Sequence, residues 1–411
     1  MFSRRQYHLD IGKISGVLFI AIYIFIVVTF FLSQLVVSSQ KPLWGDEKNG
    51  LQSSIINHSY VDILINGAKL QGSPSPLDYL ACKFLYRIKE KVSYFGLAQE
   101  TYFRLFANFI TAFSMLMIMF LFKKEISLSK DSTAVKTIQL FMLLCLPLVF
   151  LFNWKVYYYA AEMRPYALWN SLFMIVLAVS LLDAKNNKLF IAMLIPLSLS
   201  ATAVIFQLGA IILAYFIVGF MQKEDSKDLF NKAIRLFAIP FLLVFYYCLR
   251  VGKMSFEGGD WGDFLEFWIR KSDIILMMAV SIALCLIKKE NTKYAIAPLA
   301  FLILFIMGPI EFWVTKLRGF FFADRQFIYY ELAKPLFLLT AIKCMPAYAR
   351  GAKSKFAFIS VILFFCFIGC VFMFNSKRLT KFHNAAADAL RIVGINFKET
   401  MPPNFIIQQD E

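Results

Sequence analysis

Two adjacent carboxylates stand directly after the first long apolar segment of the chain. Asp46 and Glu47 lie in the stretch Leu43-Trp44-Gly45-Asp46-Glu47, close to the point where a membrane-crossing helix would end. Such a pair is either part of a solvated loop or a reactive group that accepts a proton or holds a cation. The residues that accompany it favour the second interpretation, and we predict that Asp46 and Glu47 form a catalytic site.

The composition is that of a membrane protein. Of 411 residues, 59% are hydrophobic and only 17% are charged, and the mean hydropathy is +0.64. An ordinary soluble domain has about 25% charged residues. The apolar runs have the length of membrane-crossing helices and lack the alternating pattern of a β-barrel strand. The sequence therefore predicts an all-α polytopic membrane protein.

Eleven membrane-crossing helices are predicted, joined by a partly helical first outer loop. The longest apolar run, 189–222, would extend about 50 Å as one helix, well beyond a hydrocarbon core of about 30 Å, so we divide it near 196–202. The ten runs are 14–37, 105–122, 137–154, 165–182, 189–222, 236–249, 274–287, 294–310, 326–342 and 356–374.

The distribution of the net charge of +16 assigns the two faces. In a soluble protein this charge would suggest nucleic acid, but here the lysines cluster in alternate short connections, which marks those connections as cytoplasmic. The cytoplasmic connections are then 123–136, 184–188, 223–235, 288–293 and 343–355. We predict one transmembrane domain over 1–374, with the first loop 38–104 outside, and a short outer tail over 375–411.

The outer side collects residues that suit a sugar and a phosphate. All six tryptophans fall there, at 44, 154, 169, 261, 268 and 313. Indole rings pack well against sugars and prenyl chains, and we assign Trp44 and Trp154 to a sugar or lipid pocket. Arg164 goes against the positive-inside tendency, which suits the binding of a lipid phosphate. The alternative is an interfacial arginine, paired with Glu162.

These residue types are sufficient for the transfer of a phosphate-linked sugar. One carboxylate would deprotonate an acceptor hydroxyl, and cations would stabilise the departing phosphate. Arg164, Arg325, Lys155 and Lys334 are the candidate cations, although Lys334 is as well placed for an internal ion pair with Glu331. Asp46 and Glu47 together could instead hold a divalent cation such as Mg²⁺ or Mn²⁺, and both alternatives stay open.

Four motifs resemble those of the GT-C glycosyltransferases, in the branch of the protein O-mannosyltransferases and the lipid A aminoarabinose transferase. In chain order they are Trp44-Gly45-Asp46-Glu47, Ser73-Pro74-Ser75-Pro76-Leu77-Asp78-Tyr79-Leu80, Glu100-Thr101-Tyr102-Phe103-Arg104 and Arg164-Pro165-Tyr166-Ala167-Leu168. A later stretch, Asp324-Arg325-Gln326-Phe327-Ile328-Tyr329-Tyr330, is similar to a further pattern of that family. The resemblance covers about 1–345.

The resemblance implies an inverting membrane enzyme that transfers one sugar from a polyprenyl-phosphate donor. Asp46 matches the catalytic acid of the family and Glu47 its neighbour, while Arg164 and Tyr166 match its Arg-Pro-Tyr motif, which implies contact with the donor phosphate. Ser73 stands where the aminoarabinose branch carries a basic residue. The expected acceptor is an envelope glycan, a lipid or a protein, and membrane lipids are further partners. No nucleic-acid partner is expected.

We expect the protein in a bacterial inner membrane, with its active site on the outer face. The alternative function is a flippase or transporter for a polyprenyl-linked lipid, which the hydropathy would also fit. Transporters commonly have internal symmetry and charged residues at midplane depth, whereas this chain shows no symmetry between its halves and few such charges. The sequence therefore favours the enzyme.

Overall fold

The computed structural model describes residues 11–40, 43, 45–67, 75–92, 97–183, 188–251, 260–317 and 324–349, and every regular element among them is helical. The first half contains α1 (Ile11–Gln40), α2 (Gly45–Gly50), a π-helical segment (Leu51–Ile56), α3 (Tyr60–Asn66), α4 (Leu77–Val92), α5 (Gln99–Leu128), α6 (Thr133–Phe152), α7 (Trp154–Tyr159) and α8 (Tyr166–Asp183). The second half contains α9 (Lys188–Ser198), α10 (Val204–Met221), α11 (Ser226–Cys248), α12 (Trp261–Arg270), α13 (Asp273–Leu286), a 3₁₀ segment (Lys289–Ala295), α14 (Ile296–Ile306), α15 (Gly308–Leu317), a second 3₁₀ segment (Asp324–Leu332) and α16 (Ala333–Ala349).

Five of the described helices are long and apolar enough to cross a membrane. They are α5, α6, α10, α11 and the part of α1 from Gly16, and the pair 289–306 and 308–317, bent by 49°, would make a sixth. The helical class is thus confirmed, with five or six candidate membrane-crossing helices among the described residues, whereas the eleven spans stay a prediction. The helices over 166–182, 188–198 and 273–286 are apolar but shorter than 18 residues. The predicted span 356–374 and the tail 375–411 lie outside the described residues.

Helix α8 lies at the centre of the bundle, whereas α1 lies at its edge. The side chains of Leu168, Phe173 and Val176 are almost fully buried, although they point from different sides of α8. A helix that is apolar on all sides is stable only where neighbours surround it. On α1, by contrast, Val17 and Phe25 are about 70% exposed, at 68% and 71%, as expected for a helix that faces lipid.

The predicted division of the run 189–222 coincides with a break in the structure. Helix α9 ends at Ser198 and α10 begins at Val204. The break lies at the same end of the bundle as the first loop, because the backbone N–H of Leu77 donates to the carbonyl oxygen of Leu199 at 3.0 Å. The end of α11 reaches it as well, through a contact of 3.6 Å from Cys248 Sγ to the carbonyl oxygen of Thr202.

Contacts between helix ends show which segments lie together. The segments predicted to be outside lie at one end of the bundle, and those predicted to be inside lie at the other. At one end, Arg104 at the start of α5 donates to the carbonyl oxygen of Ser38 at 2.9 Å, and Asn153 after α6 donates to Glu331 at 2.8 Å. At the other end, Lys343 of α16 pairs with Glu125 of α5. The ends therefore alternate along the chain as the predicted faces require.

A reporter fused after Glu411 tests the predicted faces. We expect alkaline phosphatase to be active there, because the lysine-rich connections place the tail outside. A fusion after Lys130, in the connection between α5 and α6, is the matched control and should be inactive. Activity only at the control position would reverse the assignment and move every candidate residue to the cytoplasmic face.

Candidate functional site

The first loop forms a small helical cap with its own apolar cluster. Leu51, Ile55, Ile63, Tyr79 and Cys82 pack together and against the beginning of α5. Helix α4 is amphipathic, so its apolar face can cover the end of the bundle while its polar face meets solvent. We call residues 45–92 the cap; its described part is 45–67 and 75–92.

A buried lysine ties the carboxylate-bearing end of the cap to α4. Lys83 is 4% exposed, and its ammonium group donates to the carbonyl oxygens of Ile55 and Ile56 at 2.7 and 2.9 Å. These carbonyls end the π-helical segment, where backbone acceptors have no partner within the helix. Lys83 thus fixes the segment that follows Asp46 and Glu47 in the chain.

Glu47 is fully buried and forms a bidentate ion pair with Arg104. The distances are 3.0 Å from Arg104 Nε to Glu47 Oε1 and 2.5 Å from Nη2 to Oε2. Glu47 Oε1 also accepts the backbone N–H of Met163 at 2.7 Å. Three segments remote in sequence, the cap, the start of α5 and the loop before α8, therefore meet at one carboxylate.

These contacts give Glu47 a positioning role. Both of its oxygens accept N–H donors, so the carboxylate holds the short helix α2 in place rather than projecting into open space. Asp46 is its neighbour on α2, and the side chain of Asp46, like all of Trp44, lies outside the described residues. The structure thus places the backbone of the carboxylate pair at the junction of α5 and α8.

A divalent cation at the pair would compete with a guanidinium group for Glu47. Within the described part of the chain, no group of three or more His, Cys, Asp or Glu side chains is placed to hold a metal ion. Glu47 would have to exchange Arg104 for the cation, at the cost of a buried charge-assisted pair.

Arg164 lies beside a carboxyl group that the sequence did not single out as a candidate. Asp78, in the first turn of α4, is 3% exposed. Burial raises the pKa of Asp78 to about 7, and the Arg164 guanidinium opposes part of that rise. Arg164 also lies 6.0 Å above the ring of Tyr166, measured to the ring centre. Asp78 was visible in the Pro76-Leu77-Asp78-Tyr79 motif, but only folding shows that it is buried.

The raised pKa of Asp78 makes the stability of the folded protein depend on pH. Between pH of about 4 and 7 the folded state keeps the proton on Asp78 while the unfolded state loses it, so stability falls as the pH rises through this range. The whole effect amounts to a few kcal/mol, at about 1.4 kcal/mol per pH unit. Asp78→Asn should therefore raise the melting temperature at a pH of about 8 and change it little at a pH of about 4.

The measurement is thermal unfolding of the purified protein in detergent across this pH range. Asp228→Asn is the control, because Asp228 also lies in the first turn of a helix, α11, but is exposed. Parallel pH profiles of wild type and Asp78→Asn would show that Asp78 is ionised in the folded state over the whole range.

Lys334, a further predicted cation, lies beside a different carboxylate. Lys334 lies 3.8 Å from Glu331, so the ion pair that the sequence suggested is present. Glu331 also pairs with Lys271, a residue that sequence reasoning missed, and accepts a hydrogen bond from Asn153. Lys155 follows Asn153 by two residues and lies 5.2 Å from the centre of the Phe267 ring. The side chain of Arg325 lies outside the described residues.

Tyrosine rings, more than tryptophans, line the described part of the Arg164 region. The rings of Tyr159 and Tyr166 meet edge to face with centres 5.6 Å apart. Trp169 is buried inside the bundle, where its indole N–H donates to Gln207 at 2.9 Å, and Trp313 is 52% exposed. The side chain of Trp154 lies outside the described residues. Among the described side chains, the aromatic ring shown beside Arg164 is that of Tyr166.

Taken together, the geometry brings Glu47, Arg104, Asp78 and Arg164 to one end of the bundle and places the lysines around Glu331 at the same end. Comparisons of the chain with protein-family models, with curated proteins and with solved structures find no match. The functional argument therefore depends on the residues and contacts of this chain.

Proposed function

We propose that the protein is a membrane glycosyltransferase that uses a polyprenyl-phosphate sugar on the outer face of a bacterial inner membrane. The acceptor is an envelope glycan, a lipid or a protein, and the anomeric configuration is inverted. The proposal includes eleven spans in a GT-C-like arrangement over 1–374, supported by the alternation of helix ends. Its four GT-C-like motifs also support it.

One observation carries the proposal: the carboxylate of Glu47 joins three of these motifs in space. It binds Arg104 of the second-span motif and the backbone N–H of Met163, which precedes the Arg164 motif. Residues 47, 104 and 163 are remote in sequence, and a solvated connection would need no such convergence. A fixed acidic segment beside an arginine is what a reaction with a phosphate-linked sugar requires.

The reaction uses one base and one group of cations. Asp46 takes the proton of the acceptor hydroxyl, whose oxygen forms a bond to the anomeric carbon while the bond from that carbon to the phosphate oxygen breaks. The electron pair of the broken bond leaves with the polyprenyl phosphate. Arg164 stabilises the departing charge, with Tyr166, Lys155, Lys334 and Arg325 as further contacts. Glu47 holds the segment that carries the base.

Replacement of Arg164 tests its part in donor binding. Arg164→Ala should weaken donor binding and turnover by about tenfold or more, since a charge-assisted hydrogen bond contributes roughly 1.5–3 kcal/mol. Arg164→Lys should rescue only part of the loss because it lacks the planar guanidinium. The measurement is the KM for the donor at matched expression. Equal values in all three proteins would reduce Arg164 to an interfacial anchor.

A flippase for the same lipid is the second candidate, and the two functions differ in where the donor accumulates. In cells without the protein, the donor lipid should build up on the outer face if the protein is the transferase. It should remain on the inner face if the protein is the flippase. Oxidation of intact cells with membrane-impermeant periodate, followed by mass spectrometry of the lipids, shows on which side of the membrane the sugar of the donor lipid lies. Protection of the sugar from periodate would refute the transferase.

A further inference from the structure

A polar cavity lies at the opposite end of the bundle from the candidate site. Its volume is about 320 Å³, within the range of about 300–1,000 Å³ typical of small-molecule sites. It lies between the inner ends of α5, α6 and α16 and the 3₁₀ segment Lys289–Ala295. Glu125, Gln139, Lys293 and Lys343 are among its lining residues.

One buried hydrogen-bond acceptor in this lining has no donor among the described residues. Gln139 is 4% exposed, and its Nε2 donates to the carbonyl oxygen of Ile342 at 2.9 Å. That bond fixes the orientation of the amide, because only the nitrogen can donate to a carbonyl. The other atom, Oε1, is buried with no hydrogen-bond partner among the described residues. A buried amide oxygen without a donor costs free energy, so a ligand with an N–H or O–H group would be favoured here.

The charges around the cavity indicate what else the ligand carries. The described lining carries the carboxylates of Glu125, Asp131 and Glu290 and the ammonium groups of Lys293 and Lys343. Glu125 pairs with Lys343. Lys293 and Lys343 both approach the ring of Tyr294, at 5.3 and 4.8 Å from its centre. A wall with a carboxylate and an amide oxygen suits an ammonium group, which offers three donors, while lysines suit a phosphate. Both signs in one cavity favour a zwitterion.

The position of the cavity indicates a lipid source for that zwitterion. It lies at the lysine-rich end of the bundle, which is the predicted cytoplasmic face, at the depth where helices α5 and α16 end. Phe122, Ile126 and Pro346 add apolar surface to its lining. A polar cavity with apolar walls at a membrane edge matches a headgroup followed by the beginning of acyl chains.

We propose that this cavity binds a phosphoethanolamine group, with its primary ammonium at Gln139 and Glu125 and its phosphate at Lys293, and that the group belongs to an aminophospholipid of the inner leaflet. The site is independent of sugar transfer, because it lies at the other end of the bundle. It would anchor the inner ends of α5, α6 and α16 to the bilayer.

Native mass spectrometry of the purified full chain, with equal amounts of added lipid, tests the ligand. Phosphatidylethanolamine should be retained at least about tenfold more than phosphatidylcholine, whose quaternary nitrogen has no N–H to donate to Gln139. Free phosphoethanolamine, followed by its shift of the melting temperature, distinguishes the sources. A shift means that the headgroup alone suffices, and retention of the lipid without such a shift means that the chains are also needed.

Two variants locate the site. Gln139→Leu should reduce phosphatidylethanolamine retention by about tenfold, and Lys293→Gln should weaken phosphatidylethanolamine and phosphatidylglycerol alike, since both carry the phosphate. Lys293→Gln keeps the test valid if Gln139→Leu, which also loses the bond to Ile342, does not fold. Lys232→Gln is the control, because Lys232 pairs with Glu224 outside the cavity. Equal retention of the two zwitterionic lipids, or of phosphatidylethanolamine by the Lys293→Gln and Lys232→Gln proteins, would overturn the proposal.

Discussion

Asp46→Asn is expected to reduce sugar transfer by about 10²- to 10⁴-fold, the usual contribution of a general base. The amide has nearly the same shape as the carboxylate but cannot accept the proton of the acceptor hydroxyl. Folding should survive, because the ion pair of Glu47 with Arg104, which holds helix α2, is kept. The expected result is therefore an inserted, thermally stable protein with normal donor binding and almost no turnover.

The matched control for this variant is Asp62→Asn, which removes a carboxylate from the same loop. Asp62 lies on α3 and pairs with His58 rather than with Arg104. Initial rates with saturating donor should be near normal for the control. If Asp46→Asn also transfers sugar at a near-normal rate, the first loop is only a solvated connection and the catalytic site must lie elsewhere.

Arg104→Met is expected to cause the largest loss of stability of any substitution considered. It removes the guanidinium from a carboxylate that is 0% exposed. Removal of one partner of a buried ion pair typically costs about 3–5 kcal/mol, because the other charge stays buried and unpaired. The melting temperature in detergent should fall by many degrees, and the acidic motif should become accessible to proteases.

The double variant Glu47→Gln with Arg104→Met shows how much of the lost stability comes from the unpaired charge and how much from lost packing. It removes both charges, so much of the stability lost in Arg104→Met should return. Glu47→Gln alone should damage activity less than Asp46→Asn, since Glu47 acts through the position of α2. A melting temperature of Arg104→Met equal to that of wild type would contradict the observed pair.

The sequence predicted the helical membrane class and the break between α9 and α10 because both depend on local properties. The length of the apolar runs predicts the membrane class. The break is predicted because the run 189–222 is too long for one bilayer crossing and contains Pro196. The count of spans depends on more than local pattern, since α13 has only 14 residues, fewer than a straight crossing needs. Neighbouring helices, which no local pattern encodes, determine how such a helix is accommodated.

The sequence predicted the motifs of the candidate site but not the contacts between their side chains. Acidic and basic motifs were visible, yet nothing local shows that Glu47 binds Arg104, 57 positions away, or that Lys271 meets Glu331. Asp78 was similarly overlooked, because a carboxyl group in the first turn of a helix is common at helix starts. Burial alone makes it unusual, and burial depends on how the cap folds onto the bundle.

The most direct test of the central claim is transfer of a radiolabelled sugar by the purified protein. Wild-type protein in vesicles, given a polyprenyl-phosphate sugar and envelope extract, should move the label from the lipid to a larger acceptor and release polyprenyl phosphate in equal amount. Asp46→Asn in the same vesicles should leave the label on the lipid. Transport of intact labelled lipid across the vesicle membrane, without any glycosylated product, would contradict the account.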